Sequence, residues 1–291
     1  MSQSVTGRTG LICLLGHPVA HTISPSMHNT AFALLGLDYL YMAFDVGSDT
    51  LKTAVEGLRA LGARGFNLTM PDKQLMCEYC DRLSEASLLT GAVNTVVNDQ
   101  GILTGYTTDG IGYMKAVAED GFACQGKVMT MLGCGGAGGA ILVQASLDGM
   151  KEIRVFNRKS ARFKELEAFA ARVSQKTGCR VTVSDLEDRK ALYDSIGSSH
   201  ILTNTTNVGM GELEGQCLIE DPLVLRPDLF VSDIIYKPDK TRLLEMAEAR
   251  GCATSNGLYM LLYQGAEAFR LWTGQEMPVE VIREKYFRRQ S

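Results

Sequence analysis

Apolar positions along this chain follow two alternating patterns. Short unbroken runs such as Leu11–Leu15 stop at a glycine, and longer segments follow in which apolar residues recur at helical spacing, as from Met27 to Leu35. The first pattern fits a strand covered on both faces and the second a helix lying on it. The same reading gives strands at Tyr39–Val46 and Gly65–Thr69. It gives helices at Thr50–Leu61 and Pro71–Cys80, the latter begun by proline in its first turn. Such alternation predicts a mostly parallel sheet.

Two further runs, Ala92–Val97 and Ile102–Tyr106, flank Asn98-Asp99-Gln100-Gly101, a hairpin signal with glycine where positive φ is needed. An antiparallel piece is therefore expected at the sheet's edge. A helical pattern from Gly110 to Glu119 leads out of this region and is expected to cross between domains. Strands then follow at Lys127–Leu132, Glu152–Phe156, Arg180–Ser184, Ile201–Asn204 and Leu229–Ile235, with helices at Gly138–Leu147 and Ser160–Ser174. That succession predicts a doubly wound nucleotide-binding domain with its crevice at the carboxyl ends of the strands. A long apolar helix begins at Asn256-Gly257 and runs through Trp272, and it requires burial, with the first domain as the expected place.

A chain of 291 residues is long enough for two such domains. The net charge of -4, with Lys and Arg scattered, offers no basic field for nucleic acid or an anionic membrane. The first ten residues are polar and no apolar run approaches a membrane span, so a cytoplasmic protein is expected. Eight dispersed cysteines read as reduced thiols. Cys77 and Cys80 have C-x-x-C spacing but no second pair, and His17, His21 and His28 lack accompanying ligands, so they read as helix, loop and cap residues and no metal is expected. A homodimer is compatible with the sequence, which does not set the oligomeric state.

The glycines of Gly133-Cys134-Gly135-Gly136-Ala137-Gly138 stand between an expected strand and an expected helix, where they suit a dinucleotide pyrophosphate. A plain strand-to-helix turn is the competing reading. The next strand ends in Asn157-Arg158-Lys159, with Arg162 following, where an NAD enzyme usually carries an acidic residue. Basic side chains there suit the 2′-phosphate of NADP, though they also suit an ordinary solvated surface. Lys73 and Asp109 are candidates for an acid/base pair acting on an alcohol. A surface lysine and a helix N-cap are their ordinary alternatives.

Several segments together resemble the shikimate dehydrogenase family. They are Gly16-His17-Pro18 through Ser24-Pro25-Ser26-Met27-His28-Asn29, Asn67-Leu68-Thr69-Met70-Pro71-Asp72-Lys73, Gly91-Ala92-Val93-Asn94-Thr95, Thr108-Asp109-Gly110, Asn204–Met210, Asp233–Pro238 and Gln264-Gly265-Ala266. The likeness runs in order over nearly the whole chain. The Met-Pro-x-Lys and Tyr-Met-Ala-Phe-Asp segments are similar to the branch acting on both quinate and shikimate.

The resemblance implies an α/β fold of two domains, a discontinuous α/β substrate domain and a doubly wound Rossmann cofactor domain. Residues 1–112 are expected to form the first, completed by 254–291, and 113–253 the second. It implies reversible NADP-linked oxidation, with NAD also possible, of a small ring hydroxy acid at its C3 hydroxyl. Lys73 and Asp109 would be catalytic. Thr22 and Ser24 would hold the carboxylate, Thr69, Asn94 and Gln264 the ring hydroxyls, and Tyr236 would reach the substrate from the cofactor domain. Gly133, Gly135, Gly136, Ala137, Gly138, Asn157, Arg158, Lys159, Arg162, Thr205 and Gly257 would meet the cofactor. A paralogue acting on an amino- or otherwise modified analogue, and a non-catalytic metabolite-binding relative, are the alternatives.

Three positions depart from the family pattern. Thr22 stands where serine is usual, Thr107 where asparagine is usual, and Asp72 where histidine, tyrosine, phenylalanine or asparagine is more common. Asp72 is expected to point to solvent as an early-helix carboxylate, with pairing to Lys73 as the alternative.

Overall fold

The computed structural model describes residues 5–288, which divide into two compact units, 5–108 with 264–288, and 109–263. The first unit contains β1 (Gly10–Gly16), α1 (Ser24–Leu35), β2 (Tyr39–Asp45), α2 (Leu51–Ala60), β3 (Gly65–Leu68), β4 (Arg82–Leu83), α3 (Glu85–Thr90), β5 (Thr95–Asp99) and β6 (Ile102–Tyr106). Its sheet has the order β2-β1-β3-β5-β6-β4. The hairpin lies where the sequence placed it, with Gln100 and Gly101 at φ 53° and 91°. Its strands run antiparallel within the sheet, β5 between β3 and β6, and the two-residue β4 forms the edge.

The expected helix over residues 71–80 is instead a turn followed by a short 3₁₀ segment, Leu75–Tyr79. The backbone bonds show why. The carbonyl of Lys73, which an α-helix would offer to the amide four residues on, accepts the N–H of Val93 at 2.8 Å, and the Cys77 N–H bonds the Gln74 carbonyl three residues back at 3.1 Å. Cys77 and Cys80 are accordingly not on a common helix.

The second unit contains α4 (Asp109–Glu119), β7 (Val128–Leu132), α5 (Gly136–Leu147), β8 (Glu152–Asn157), α6 (Phe163–Thr177), β9 (Arg180–Asp185), α7 (Arg189–Gly197), β10 (Ile201–Asn204), β11 (Phe230–Asp233), α8 (Arg242–Ala249) and β12 (Ala253–Ser255). Every strand pair is parallel in the order β12-β11-β10-β7-β8-β9. The order reverses between β7 and β10, so the glycine turn after β7 sits at the topological switch point, where open α/β sheets bind ligands.

Helix α9 (Leu258–Thr273) leaves the second unit at Tyr263, and its remainder belongs to the first unit with α10 (Val279–Tyr286). There Phe269 and Trp272 join Phe32 and Tyr41 around the ring of His28. The Trp272 indole donates to the Val96 carbonyl at 2.9 Å. Gly65 is required beneath it, because a Cβ there would meet the indole nitrogen at 2.4 Å. His28 is thus a buried residue inside α1, not a loop or cap residue, and burial lowers its pKa to about 3. Among the described residues no cluster suits a metal, and no helix is long and apolar enough to cross a membrane.

Candidate functional site

In the first unit the site begins at the ends of β1 and β3. Gly16 admits Thr69 at close range, since a Cβ there would lie 2.2 Å from the threonine methyl. Thr22 donates to the Ser24 hydroxyl at 3.2 Å and accepts the Ser24 N–H at 3.3 Å, so these two hydroxyls form one group at the start of α1.

Behind them lies a buried polar run. The Tyr41 phenol donates to Asn67 Oδ1 at 2.8 Å. Asn67 Nδ2 donates to the Asn94 carbonyl and to Thr95 Oγ1. Asn94 Oδ1 then accepts from Thr95 Oγ1, the Thr108 N–H and Thr108 Oγ1 at 2.8–3.2 Å. An amide oxygen engaged by three donors orients its NH₂ the opposite way, which makes Asn94 a donor toward whatever it meets.

Lys73 is half-buried on the turn after β3. That turn is held through Asp72, whose N–H bonds the Thr69 carbonyl and whose carboxylate accepts the Ser48 hydroxyl. Asp72 is only 2% exposed, and its other oxygen, Oδ2, has no hydrogen-bond partner. The sequence expectation of a solvent-facing carboxylate is therefore corrected. The cause is the loop after β2, which covers it with Ser48. Gln264 is half-buried on the part of α9 that belongs to this unit.

In the second unit Asp109 is the first residue of α4 and is buried, inside the first turn rather than at an N-cap. Gly110 beside it is needed because a Cβ would lie 2.3 Å from the Ala140 carbonyl of α5. Tyr236 is exposed, in the segment after β11.

The glycine turn satisfies the geometric demands of a pyrophosphate cradle. Gly133 has φ 80°, and a Cβ on Gly138 would meet Thr205 Oγ1 at 2.6 Å, whereas Gly135 and Gly136 face open space. No side chain caps α5, so its first N–H groups and the helix dipole are directed at that space. Thr205 shapes the turn by donating to the Leu132 and Gly133 carbonyls. Gly257 is likewise a close-approach residue, with a Cβ position only 1.9 Å from the Ile234 carbonyl. Asn157 ends β8, and Arg158, Lys159 and Arg162 beyond it are exposed. The glycine turn therefore has the shape that a dinucleotide pyrophosphate requires, and Arg158, Lys159 and Arg162 offer exposed cationic side chains beyond the next strand.

Sequence reasoning missed Tyr41, Asn67, Thr95 and Thr108 as supports of the site. A tyrosine and an asparagine inside otherwise apolar strands were the available signal, since a buried polar tip requires a partner.

A parallel nucleotide-binding unit with this cradle, joined to a second α/β unit rich in buried hydroxyl and amide groups, defines an NAD(P)-dependent oxidoreductase acting on an alcohol. The family model described as the shikimate dehydrogenase substrate binding domain matches residues 14–96, and that of the shikimate 5'-dehydrogenase C-terminal domain matches 257–285. The shikimate dehydrogenase (NADP(+)) of Listeria monocytogenes serotype 4b is 52% identical over 287 residues, 99% of both chains. A crystal structure of shikimate 5-dehydrogenase from Listeria monocytogenes in complex with shikimate and NAD superposes with a TM-score of 0.96, at 52% identity and 99% coverage of both chains. The quinate dehydrogenase of Corynebacterium glutamicum, in complex with NAD, has a TM-score of 0.85 at 30% identity, covering 96% of this chain and 98% of that one. This chain belongs to the shikimate dehydrogenase family.

Proposed function

We propose that the protein is a shikimate dehydrogenase that interconverts 3-dehydroshikimate and shikimate with NADP, uses NAD as a second coenzyme, and works in the cytoplasm. The observation that carries the reading is the buried hydrogen-bonded run from Tyr41 through Asn67 to Asn94, together with the linked hydroxyls of Thr22 and Ser24. It equips one unit with hydroxyls for a carboxylate and an oriented amide donor for ring hydroxyls. The near full-length likeness to shikimate dehydrogenases supports it. Free cysteines throughout suit a reducing compartment.

When bound, the nicotinamide supplies or accepts the hydride. The chain's own residues handle the rest. Thr22 and Ser24 donate to the ring carboxylate and set which end of the ring enters. Thr69, Asn94 and Gln264 bond the ring hydroxyls, each of which would cost about 1–3 kcal/mol if buried unpaired. In the direction of oxidation Lys73 takes the proton leaving the C3 oxygen, and in reduction it returns one. Asp109 is the second group of the proposed acid/base pair. Tyr236 contributes its phenol to the substrate. The substrate-binding domain is assigned to the first unit and the cofactor domain to the second.

Likeness to a quinate dehydrogenase favours a second substrate with the same carboxylate and ring hydroxyls. A steady-state assay crossing shikimate and quinate with NAD and NADP tests the reading. Turnover of shikimate with NADP at the highest kcat/KM supports it, and no turnover in any of the four combinations overturns it.

A further inference from the structure

Lys159, one of the three basic residues expected to face a 2′-phosphate, already has an anionic neighbour. Its ammonium lies 3.4 Å from Oδ2 of Asp185. Asp185 ends β9 and stands in register beside Asn157, the last residue of β8. Its second oxygen, Oδ1, accepts the N–H of Glu187 at 3.1 Å. The carboxylate is thus held by the backbone of the following turn, whereas the lysine side chain is 71% exposed on a flexible stem. Of the two partners the aspartate stays and the lysine swings.

A carboxylate anchored there has two effects on a nucleotide. It competes with a 2′-phosphate for the Lys159 ammonium, and it repels the phosphate's own negative charge. A 2′-hydroxyl suffers neither, because it is neutral and can donate a hydrogen bond. Building on the cofactor reading above, we propose that Asp185 is a coenzyme-specificity residue that holds the preference for NADP over NAD below what Arg158, Lys159 and Arg162 would give unopposed. The pair places a phosphate reader and an acidic counterweight on adjacent strand ends, so both coenzymes remain usable.

The test is binding of 2′,5′-ADP and 5′-AMP by calorimetry to the full-length wild type, Asp185→Asn, Lys159→Ala, Arg158→Ala and the Asp185→Asn/Lys159→Ala double variant. Asparagine retains an oxygen for the Glu187 N–H and removes only the charge. Asp185→Asn is expected to tighten 2′,5′-ADP about 2- to 5-fold, the scale of a solvent-screened charge pair, and to leave 5′-AMP unchanged. In the Lys159→Ala background the gain should shrink, because competition for the lysine is gone and repulsion alone remains. Unchanged or weaker 2′,5′-ADP binding by Asp185→Asn, or equal tightening of both nucleotides, overturns the proposal. A wild type that binds the two nucleotides alike, with Arg158→Ala affecting neither, overturns the phosphate site itself.

Discussion

The Tyr41 phenol donates to Asn67 Oδ1 at 2.8 Å, and this bond sets which way the Asn67 amide faces. With its oxygen turned to the phenol, Nδ2 meets the Asn94 carbonyl and Thr95. Tyr41→Phe removes one oxygen and leaves a buried amide oxygen without its donor. The expected cost is about 1–3 kcal/mol in denaturant unfolding, with a several-fold rise in KM for shikimate as the Asn67 and Asn94 amides lose their fixed orientation. Unaltered stability together with unaltered KM would contradict the role given to this tyrosine.

Lys73→Ala and Asp109→Ala are each expected to keep the fold and lower kcat by roughly 100-fold or more, the scale of a missing acid/base group. Single-turnover and steady-state rates measure this directly. Near wild-type turnover in both variants would remove the proposed proton transfer.

At the cofactor end, Arg158→Ala should weaken NADP binding by about 1–3 kcal/mol and NAD much less, as expected for loss of a charge-assisted bond to the 2′-phosphate. Titration of each coenzyme against the variant checks it. Equal weakening would mean that Arg158 supports the strand end without reading the phosphate.

Thr22 brings a methyl group to the proposed carboxylate group, and quinate has a tetrahedral C1 bearing a hydroxyl where shikimate is planar. Wild type should therefore favour shikimate. Thr22→Ser keeps the hydroxyl that bonds Ser24 and should raise quinate kcat/KM by the few-fold to tenfold that about 0.5–1.4 kcal/mol of relieved crowding gives. A wild type that already prefers quinate, with no change on substitution, would be the opposite result.

Asp233, at the end of β11, provides a pH-dependent test of stability. Burial raises its carboxyl from 3.8 to about 6, against the lowering effects of the Ile235 N–H, Asn204 and Thr241. The folded chain therefore takes up a proton that the unfolded chain has lost between those values. Stability from this group is fully present below pH 3.8 and is lost as pH rises through about 6. Asp233→Asn should flatten that slope, with its advantage over wild type greatest above pH 6 and on the order of 1–3 kcal/mol. Denaturant melts at pH 4, 5, 6 and 7 would show it, and parallel curves for the two proteins would exclude it.

Much of the fold could be read from local pattern. The apolar runs of β1, β2, β7 and β8 were visible, as was the Asn-Asp-Gln-Gly turn. Helices α3, α7 and α8 were not read, although each starts at a polar cap: Ser84, Asp188 and Thr241 accept the N–H of Ser87, Ala191 and Leu244. Those residues carry a known N-terminal signal, and attention to apolar periodicity passed over it. The short strand β12 and the helix α10 offered weaker patterns. The turn at 71–80 was misread because its fate depends on Val93, twenty residues ahead of Lys73 in the chain. The pairings Tyr41–Asn67, Ser48–Asp72 and Lys159–Asp185 likewise join residues about two dozen positions apart, where no local rule reaches.

The division of the first unit between 5–108 and 264–288 also orders the protein's assembly in time. On the ribosome the early strands emerge long before Phe269 and Trp272, which complete their aromatic cluster. Residues 109–263 can close as a whole while that older portion still waits with an apolar wall uncovered. The last stretch to be made thus seals the first, and a chain stopped near residue 263 would carry a finished nucleotide-binding half beside an unfinished partner prone to stick to its neighbours.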